Sequence, residues 1–304
     1  LLYSARVILH TSPSTLTKGS HAPKKRGRAW FADIGWNMNR LAVSEITTFR
    51  WTFEEDLQHY GEAGVTAVGV WRQKLEDFGA ARGIELIKHH GWHVSSLQWA
   101  GGFTGSDGGT HNESIDDALD AVRLAHALGA SCLLLHSGSR GVHTHKHARR
   151  LLRTALDQLL PLAEALQVVL AIEPMPREAG TDWTFLHDWD ETLALIGAVG
   201  SDQLRAVFDL YYWGHDEATL ARLPDLASKL SLVQLADSRQ PPQVEPDRCP
   251  LGEGNIPLLA ITEQLTAAGY CGCYEVELMG EEIEASDYRD LLDRSQQVFQ
   301  RLLT

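Results

Sequence analysis

Cysteine is scarce in this chain. Only Cys132, Cys249, Cys271 and Cys273 occur in 304 residues, too few for a disulfide framework. Cys271 and Cys273 are spaced CxC rather than CxxC, and no second pair completes a structural zinc site. A reducing, cytoplasmic setting is the simpler reading. Long apolar runs are missing too, since none reaches the roughly 18 residues of a membrane-spanning helix. Basic charge is short, with 27 Lys and Arg against 40 Asp and Glu and a formal net charge of −13. The basic residues crowd the start, where Arg6, Lys18, Lys24, Lys25, Arg26 and Arg28 face only Asp33. The remaining body is therefore more acidic than the total and would repel nucleic-acid phosphates. There is no GxSxG nucleophile turn, no phosphate-cradling GxxxxGK[ST], no recognisable Ser-His-Asp set, and no GxGxxG after the first strand.

Residues 1–37, with their Pro, Ser, Thr and KKRGR content, are expected to form a disordered basic tail, or to lie upstream of a native start at Met38. Residues 38–304 are read as one catalytic domain. From residue 41 onward, β-branched apolar runs alternate with helical patterns. The runs are LAVSEITTF (41–49), VTAVGVW (65–71), HVSSLQW (93–99), SCLLLHSG (131–138), VVLAIEPM (168–175), LRAVFDLYY (204–212), LSLVQLADS (230–238) and CGCYEVELM (271–279). Strand-then-helix alternation with right-handed crossovers implies a parallel sheet. Eight such units predict the α/β class and a closed (β/α)8 TIM barrel, which needs about 250 residues; an open doubly wound sheet is the alternative.

Active sites of such barrels lie at the carboxyl ends of the strands. That end of strands five to eight carries Glu173, Asp209, Gln234 and Glu277. Three carboxylates aimed at one point would repel one another, and a divalent cation between them reverses the sign of the problem. All-oxygen donors favour Mn²⁺ or Mg²⁺, with Zn²⁺ or Co²⁺ also compatible. The bland alternative is that each acid is a strand-end cap or an ion-pair partner. Glu275 shares a strand face with Glu277, one layer deeper, and is assigned a supporting or salt-bridged role.

The segments LAIEPM, VFDLYY, VQLAD, PLGEGNI and GYCGCYEVEL, in that order, resemble the xylose-isomerase-like TIM barrels. VGVWRQKLEDFG and VSSLQWAGGF also resemble an isomerase/epimerase-like group within that superfamily. It holds sugar and sugar-phosphate isomerases, epimerases, keto-inositol dehydratases and apurinic endonucleases. The resemblance runs over residues 41–304. It implies metal ligands at Glu173, Asp209, Gln234 and Glu277, the last chosen over Glu275 because it lies seven residues after Tyr270. Gln234 is similar to the ligand of the hydroxypyruvate-isomerase branch. Two departures stand out. The substrate-binding His that often follows the strand-six Asp by three residues is Tyr212 here, with His215 nearby as a substitute or a solvated loop residue. DRCPLGEG (247–254) places Cys249 where the endonucleases carry a zinc-binding His, which argues against a trinuclear DNA-repair site.

The implied chemistry is metal-dependent isomerisation or epimerisation of a small sugar, by removal of a proton next to a metal-bound carbonyl. Glu173 and Glu277 are the acid–base candidates. A lyase, dehydratase or hydrolase acting on a keto-sugar, inosose or glycoside at the same metal is the runner-up; a non-catalytic sugar-binding barrel is the third reading. Substrate-binding candidates are His136, Arg72, Tyr212, His215, Arg239 and Arg248, the last two in a loop where barrels often bind phosphate. Lys74 could bind an anion or form a Schiff base. Trp71, Trp99, Trp183 and Trp213 could stack on sugar rings or simply pack. His143, His145 and His147 alternate, but in a helix i and i+2 do not share a face. The expected partner is a small sugar or derivative, not nucleic acid or membrane, and a homo-oligomer is compatible with the sequence.

Overall fold

Eight short parallel strands close on one another in chain order: β1 (Leu41–Ser44), β2 (Ala67–Trp71), β3 (His93–Gly101), β4 (Leu133–His136), β5 (Leu170–Ile172), β6 (Leu204–Asp209), β7 (Leu230–Leu235) and β8 (Cys273–Val276). β1 pairs with both β2 and β8, so the sheet is a barrel without edges, as the alternation predicts. This computed structural model describes residues 41–302; the basic segment 1–37 lies outside the described residues. Among them, no helix is long and apolar enough to cross a membrane.

Helices follow the strands and start where the sequence supplies caps. Thr52 and Thr110 each accept the backbone N–H three residues on, while Glu55 and Glu113 reach back to complete capping boxes. Gly91, Gly129 and Gly200 end their helices in the left-handed conformation. The longest helix, His145–Leu166, buries Leu152, Leu156, Leu159 and Ala163 at helical spacing against the sheet.

Strand alternation then sorts the barrel into two cores. Leu133, Leu135, Leu170, Ile172, Phe208, Val233, Leu235, Tyr274 and Val276 face outward into the large core shared with the helices. Their neighbours Leu134, Ala171, Val207, Leu232 and Cys273, with Cys132, form a separate apolar cluster inside the barrel. Each buried Leu or Val of this kind contributes about 1.5–3 kcal/mol. Moving two residues further along each of β4 to β8 changes this inward face from apolar to polar: His136, Glu173, Asp209, Gln234 and Glu275. The packed floor thus sets the height at which polar side chains can enter the lumen.

Most strands are shorter than the sequence runs that predict them, and two of these ends shape the site. β5 stops at Ile172, so Glu173 and Pro174 leave the sheet; Pro174 has no N–H to offer a ladder. β6 stops at Asp209, whose Oδ1 accepts the Tyr211 N–H at 2.8 Å and turns Leu210–Trp213 into a helical turn. Gly69 of β2 also answers to the lumen. A Cβ built there would lie 2.5 Å from Glu275 Oε2, so only glycine lets the glutamate pass. Gly69→Ala is expected to destabilise the fold by about 1–3 kcal/mol through overpacking. Urea denaturation would measure it, and an unchanged midpoint would show that Glu275 has room to move.

Candidate active site at the carboxyl ends of the strands

The four oxygen-bearing residues read from the sequence converge at one end of the barrel. Asp209 and Gln234 are fully buried, and Glu173 and Glu277 are only 3% and 6% exposed. Gln234 Nε2 donates to Glu277 Oε2 at 2.6 Å, while Gln234 Oε1 is buried without any hydrogen-bond partner. A buried amide oxygen left unpaired is costly. Beside it, the guanidinium of Arg248, 1% exposed, donates to Asp209 Oδ2 at 2.8 Å and to the Glu277 carbonyl at 2.7 Å. The same guanidinium lies 3.6 Å from Glu277 Oε1 and over the ring of Tyr211, 4.8 Å from its centroid.

Burial dominates the electrostatics. It pushes Glu277 up to about 8, with Asp209, Glu173 and Glu275 pushing the same way and Arg248 pulling back. Asp209 rises to about 6, again through burial, against the pull of Arg248. Among the described residues no group of three or more His, Cys, Asp or Glu side chains is arranged to hold a metal ion; the fourth oxygen here is an amide, and Arg248 lies against two of the carboxylates. The donor set nonetheless fits a hard divalent cation, because it offers three carboxylates and an amide oxygen with no other partner.

Gln98 of β3 is a site residue that the sequence reading missed. Its Nε2 donates to Glu275 Oε1 at 2.9 Å and to Glu277 Oε2 at 2.7 Å, and its Oε1 accepts from Ser44 Oγ at 2.9 Å. Strict alternation would send Gln98 and Trp99 to opposite faces. The β3–β4 register shifts between Leu97 and Ala100, however, so that two residues of β3 stand opposite Leu134 alone. Both side chains therefore serve the lumen: Trp99 packs on the inner cluster while Gln98 reaches the carboxylates. Glu275 also accepts from Ser95 Oγ at 2.5 Å and Ser96 Oγ at 2.8 Å. Its offsetting partners are neutral donors rather than a salt bridge, and burial raises it to about 7.

His136, ending β4, places Nε2 2.9 Å from Glu173 Oε2, and its Nδ1 is buried without a partner. Trp99 and Trp183 flank it, with ring centroids 5.6 and 5.5 Å away, and meet each other edge-on at 5.3 Å. These three rings form an aromatic corner beside Glu173. Trp183 is 38% exposed. Trp213 instead packs inside, donating to the Pro174 carbonyl at 3.0 Å, and Trp71 simply ends β2.

The remaining candidates are held elsewhere. Arg72 forks onto Asp117 at 2.7 and 2.8 Å and reaches the Trp99 carbonyl at 3.0 Å. Lys74 is buried against Asp56 at 2.5 Å and the Thr48 carbonyl at 2.9 Å. Arg239 binds Glu282 and Glu253 at the surface. Tyr212 is buried, with Arg248 5.7 Å from its ring centroid. His215 pairs with Ser238 Oγ at 2.9 Å. His143 and His147 face each other at 4.8 Å while His145 turns to Glu191 at 2.7 Å. The PLGEGNI segment wraps Asp237, whose carboxylate accepts the N–H groups of Ser238, Gly252, Gly254 and Ile256. Its glycines hold the loop; a Cβ on Gly254 would sit 2.0 Å from Asp237 Oδ1.

A sequence profile of xylose isomerase-like TIM barrels matches residues 57–301. The chain belongs to the xylose isomerase-like TIM barrel family. Among curated proteins, none matches it significantly. Solved structures confirm the fold. Protein SMc04130 from Sinorhizobium meliloti is 23% identical with a TM-score of 0.77, covering 84% of this chain and 97% of its own. The IolI protein with a bound zinc atom is 17% identical, TM-score 0.75, covering 86% and 97%. An L-ribulose 3-epimerase is 20% identical, TM-score 0.72, covering 88% and 95%. This chain shares the barrel of these proteins over nearly their whole length.

Proposed function

We propose that this xylose isomerase-like barrel is a divalent-metal-dependent isomerase or epimerase of a small, uncharged sugar. The observation that carries the reading is the unpartnered, buried Gln234 Oε1 beside Glu173, Asp209 and Glu277. These four would hold the ion, Mn²⁺ or Mg²⁺ by donor type, with Zn²⁺ suggested by the zinc-bound IolI neighbour. Such an ion, when bound, supplies Lewis-acid polarisation of a carbonyl and its adjacent hydroxyl.

The protein groups then divide the work. Glu173, oriented by His136 at 2.9 Å, and Glu277, held by two amides, stand as base and acid for proton transfer at carbon. His136 Nδ1 is available to accept a sugar hydroxyl. The Trp99–Trp183 corner offers apolar ring faces for the C–H face of a sugar. Arg72, Lys74, Arg239 and Arg248 are each committed to carboxylates, which favours an uncharged ligand over a phosphorylated one.

Proton NMR in D₂O tests this. Protein loaded with Mn²⁺ is incubated with keto and aldo sugars, inosose and hydroxypyruvate, and the metal is removed by chelator before spectra are taken. Metal-dependent deuterium gain next to a carbonyl is expected, and the product distinguishes isomerisation from elimination. Metal binding with no exchange on any member of the panel would instead favour a sugar-binding barrel.

A further inference from the structure

Glu277 is held by two side-chain amides, one from the neighbouring β7 and one from β3 across the barrel. Its Oε2 accepts two amide N–H groups, from Gln98 at 2.7 Å and from Gln234 at 2.6 Å. Its Oε1 accepts none, and has only the Arg248 guanidinium 3.6 Å away. The two oxygens are therefore no longer equivalent: one is fixed and the other is left to face a ligand.

Ser44 helps set the sense of the Gln98 amide, because its Oγ already accepts the Ile46 N–H at 3.2 Å and so has its own hydrogen to donate. An amide can present either its oxygen or its nitrogen to a neighbour, and two carboxylates need the nitrogen. Ser44 Oγ donates to Gln98 Oε1 at 2.9 Å, and Ser44 is itself fully buried at the end of β1. With the oxygen satisfied there, both Nε2 hydrogens go to Glu275 and Glu277. Gln98 has every polar atom matched while 1% exposed. A fully satisfied buried network of this kind fixes one arrangement of its members.

We infer that Gln98, locked by Ser44, is a positioning residue that orients the Glu277 carboxylate, and through it the Gln234 amide oxygen, toward a divalent cation. This rests on the metal-dependent reading proposed above. Gln98 is not itself a ligand; it acts by turning Glu277 Oε2 away and so presenting Oε1. Neighbours that orient a ligand in this way typically account for 10–100-fold in metal affinity.

The test is Mn²⁺ affinity by isothermal titration calorimetry at one pH and at a temperature where every variant is folded. Gln98→Leu removes both donations and is expected to weaken Mn²⁺ binding by about 10–100-fold. Ser44→Ala leaves the amide in place but removes the donor to its oxygen, and is expected to weaken binding measurably but by less than Gln98→Leu does. Leu134→Ala, in the apolar floor below the site, lowers the melting temperature and is expected to leave Mn²⁺ affinity unchanged. A purely structural role for Gln98 would make all three variants lose stability and keep wild-type affinity, which overturns the inference. Should Gln98→Leu not fold, Ser44→Ala alone decides, since unchanged affinity there removes the lock. Wild-type protein that binds no Mn²⁺ rejects the metal reading itself, a result distinct from equal binding by wild type and variants.

Discussion

Replacing Arg248 by leucine is expected to destabilise the metal-free protein by about 3–5 kcal/mol. The guanidinium is the only cationic group in contact with Asp209 and Glu277 among the described residues, at 2.8 and 3.6 Å. It is 1% exposed and lies over the faces of Tyr211 and Tyr212. Removing one partner of a buried pair leaves the other charge uncompensated, and that penalty exceeds the net worth of the pair. The effect should also depend on pH. Burial already holds Asp209 at about 6 and Glu277 at about 8, above their ordinary 3.8 and 4.5. A carboxyl raised in the folded state stabilises below its unfolded pKa and loses that contribution as pH rises through its folded value. Without Arg248 both groups rise further, so the deficit should be larger at pH 8 than at pH 5. Urea denaturation at those two pH values measures it. Added Mn²⁺ should return part of the loss, because an ion bound only by the folded state stabilises it by mass action. A deficit below about 1 kcal/mol at pH 8 would mean that Arg248 is not what neutralises the pair.

The same residue shows where sequence reading stops. Alternation of strands and helices was enough to predict a closed eight-stranded barrel, because the hydrophobic period of each segment is a local property. The heights of Glu173, Asp209 and Gln234 were legible too, since a packed apolar floor repeats at the same register on β4 to β8; on β8 that register reaches Glu275, and Glu277 stands two residues beyond it. Partners across the lumen were not. Arg248 reads as a loop arginine suited to phosphate, yet it folds inward onto Asp209, 39 residues away in sequence. Arg72 and Lys74 look like anion binders until Asp117 and Asp56 are placed beside them by neighbouring helices. Gln98 was hidden by a register shift that breaks the period-two rule for two residues. The fold followed from local periodicity, whereas the charge balance of the site depends on contacts that only closure of the barrel creates.

Glu173→Gln is expected to lower metal-dependent C–H exchange by about 10²–10⁴-fold, the range for loss of a positioned base. Two features single out this glutamate. It follows the last residue of β5 at the lumen, 3% exposed, and Pro174 behind it keeps the chain out of the sheet ladder. Its Oε2 is held by His136 Nε2 at 2.9 Å, and His136 in turn is boxed by Trp99 and Trp183. On the proposed reading, this carboxylate, oriented by an imidazole beside an aromatic corner, would face the sugar ring and its acidic C–H. The amide of the variant keeps the shape and an oxygen but cannot take up a proton. Glu277→Gln separates the two roles. Glu277 Oε2 already accepts from Gln98 and Gln234, so the new amide would keep its oxygen on those donors and turn its nitrogen to the Oε1 position beside Arg248, where an ion would be held, disturbing ion binding first. The pair should therefore differ: Glu173→Gln loses exchange even at saturating Mn²⁺, whereas Glu277→Gln first raises the Mn²⁺ concentration needed. Both are read by deuterium incorporation across a Mn²⁺ titration. A Glu173→Gln variant that exchanges within about threefold of wild type at saturating metal would move the base to another group. His136, with its unpartnered Nδ1, would be the first to test.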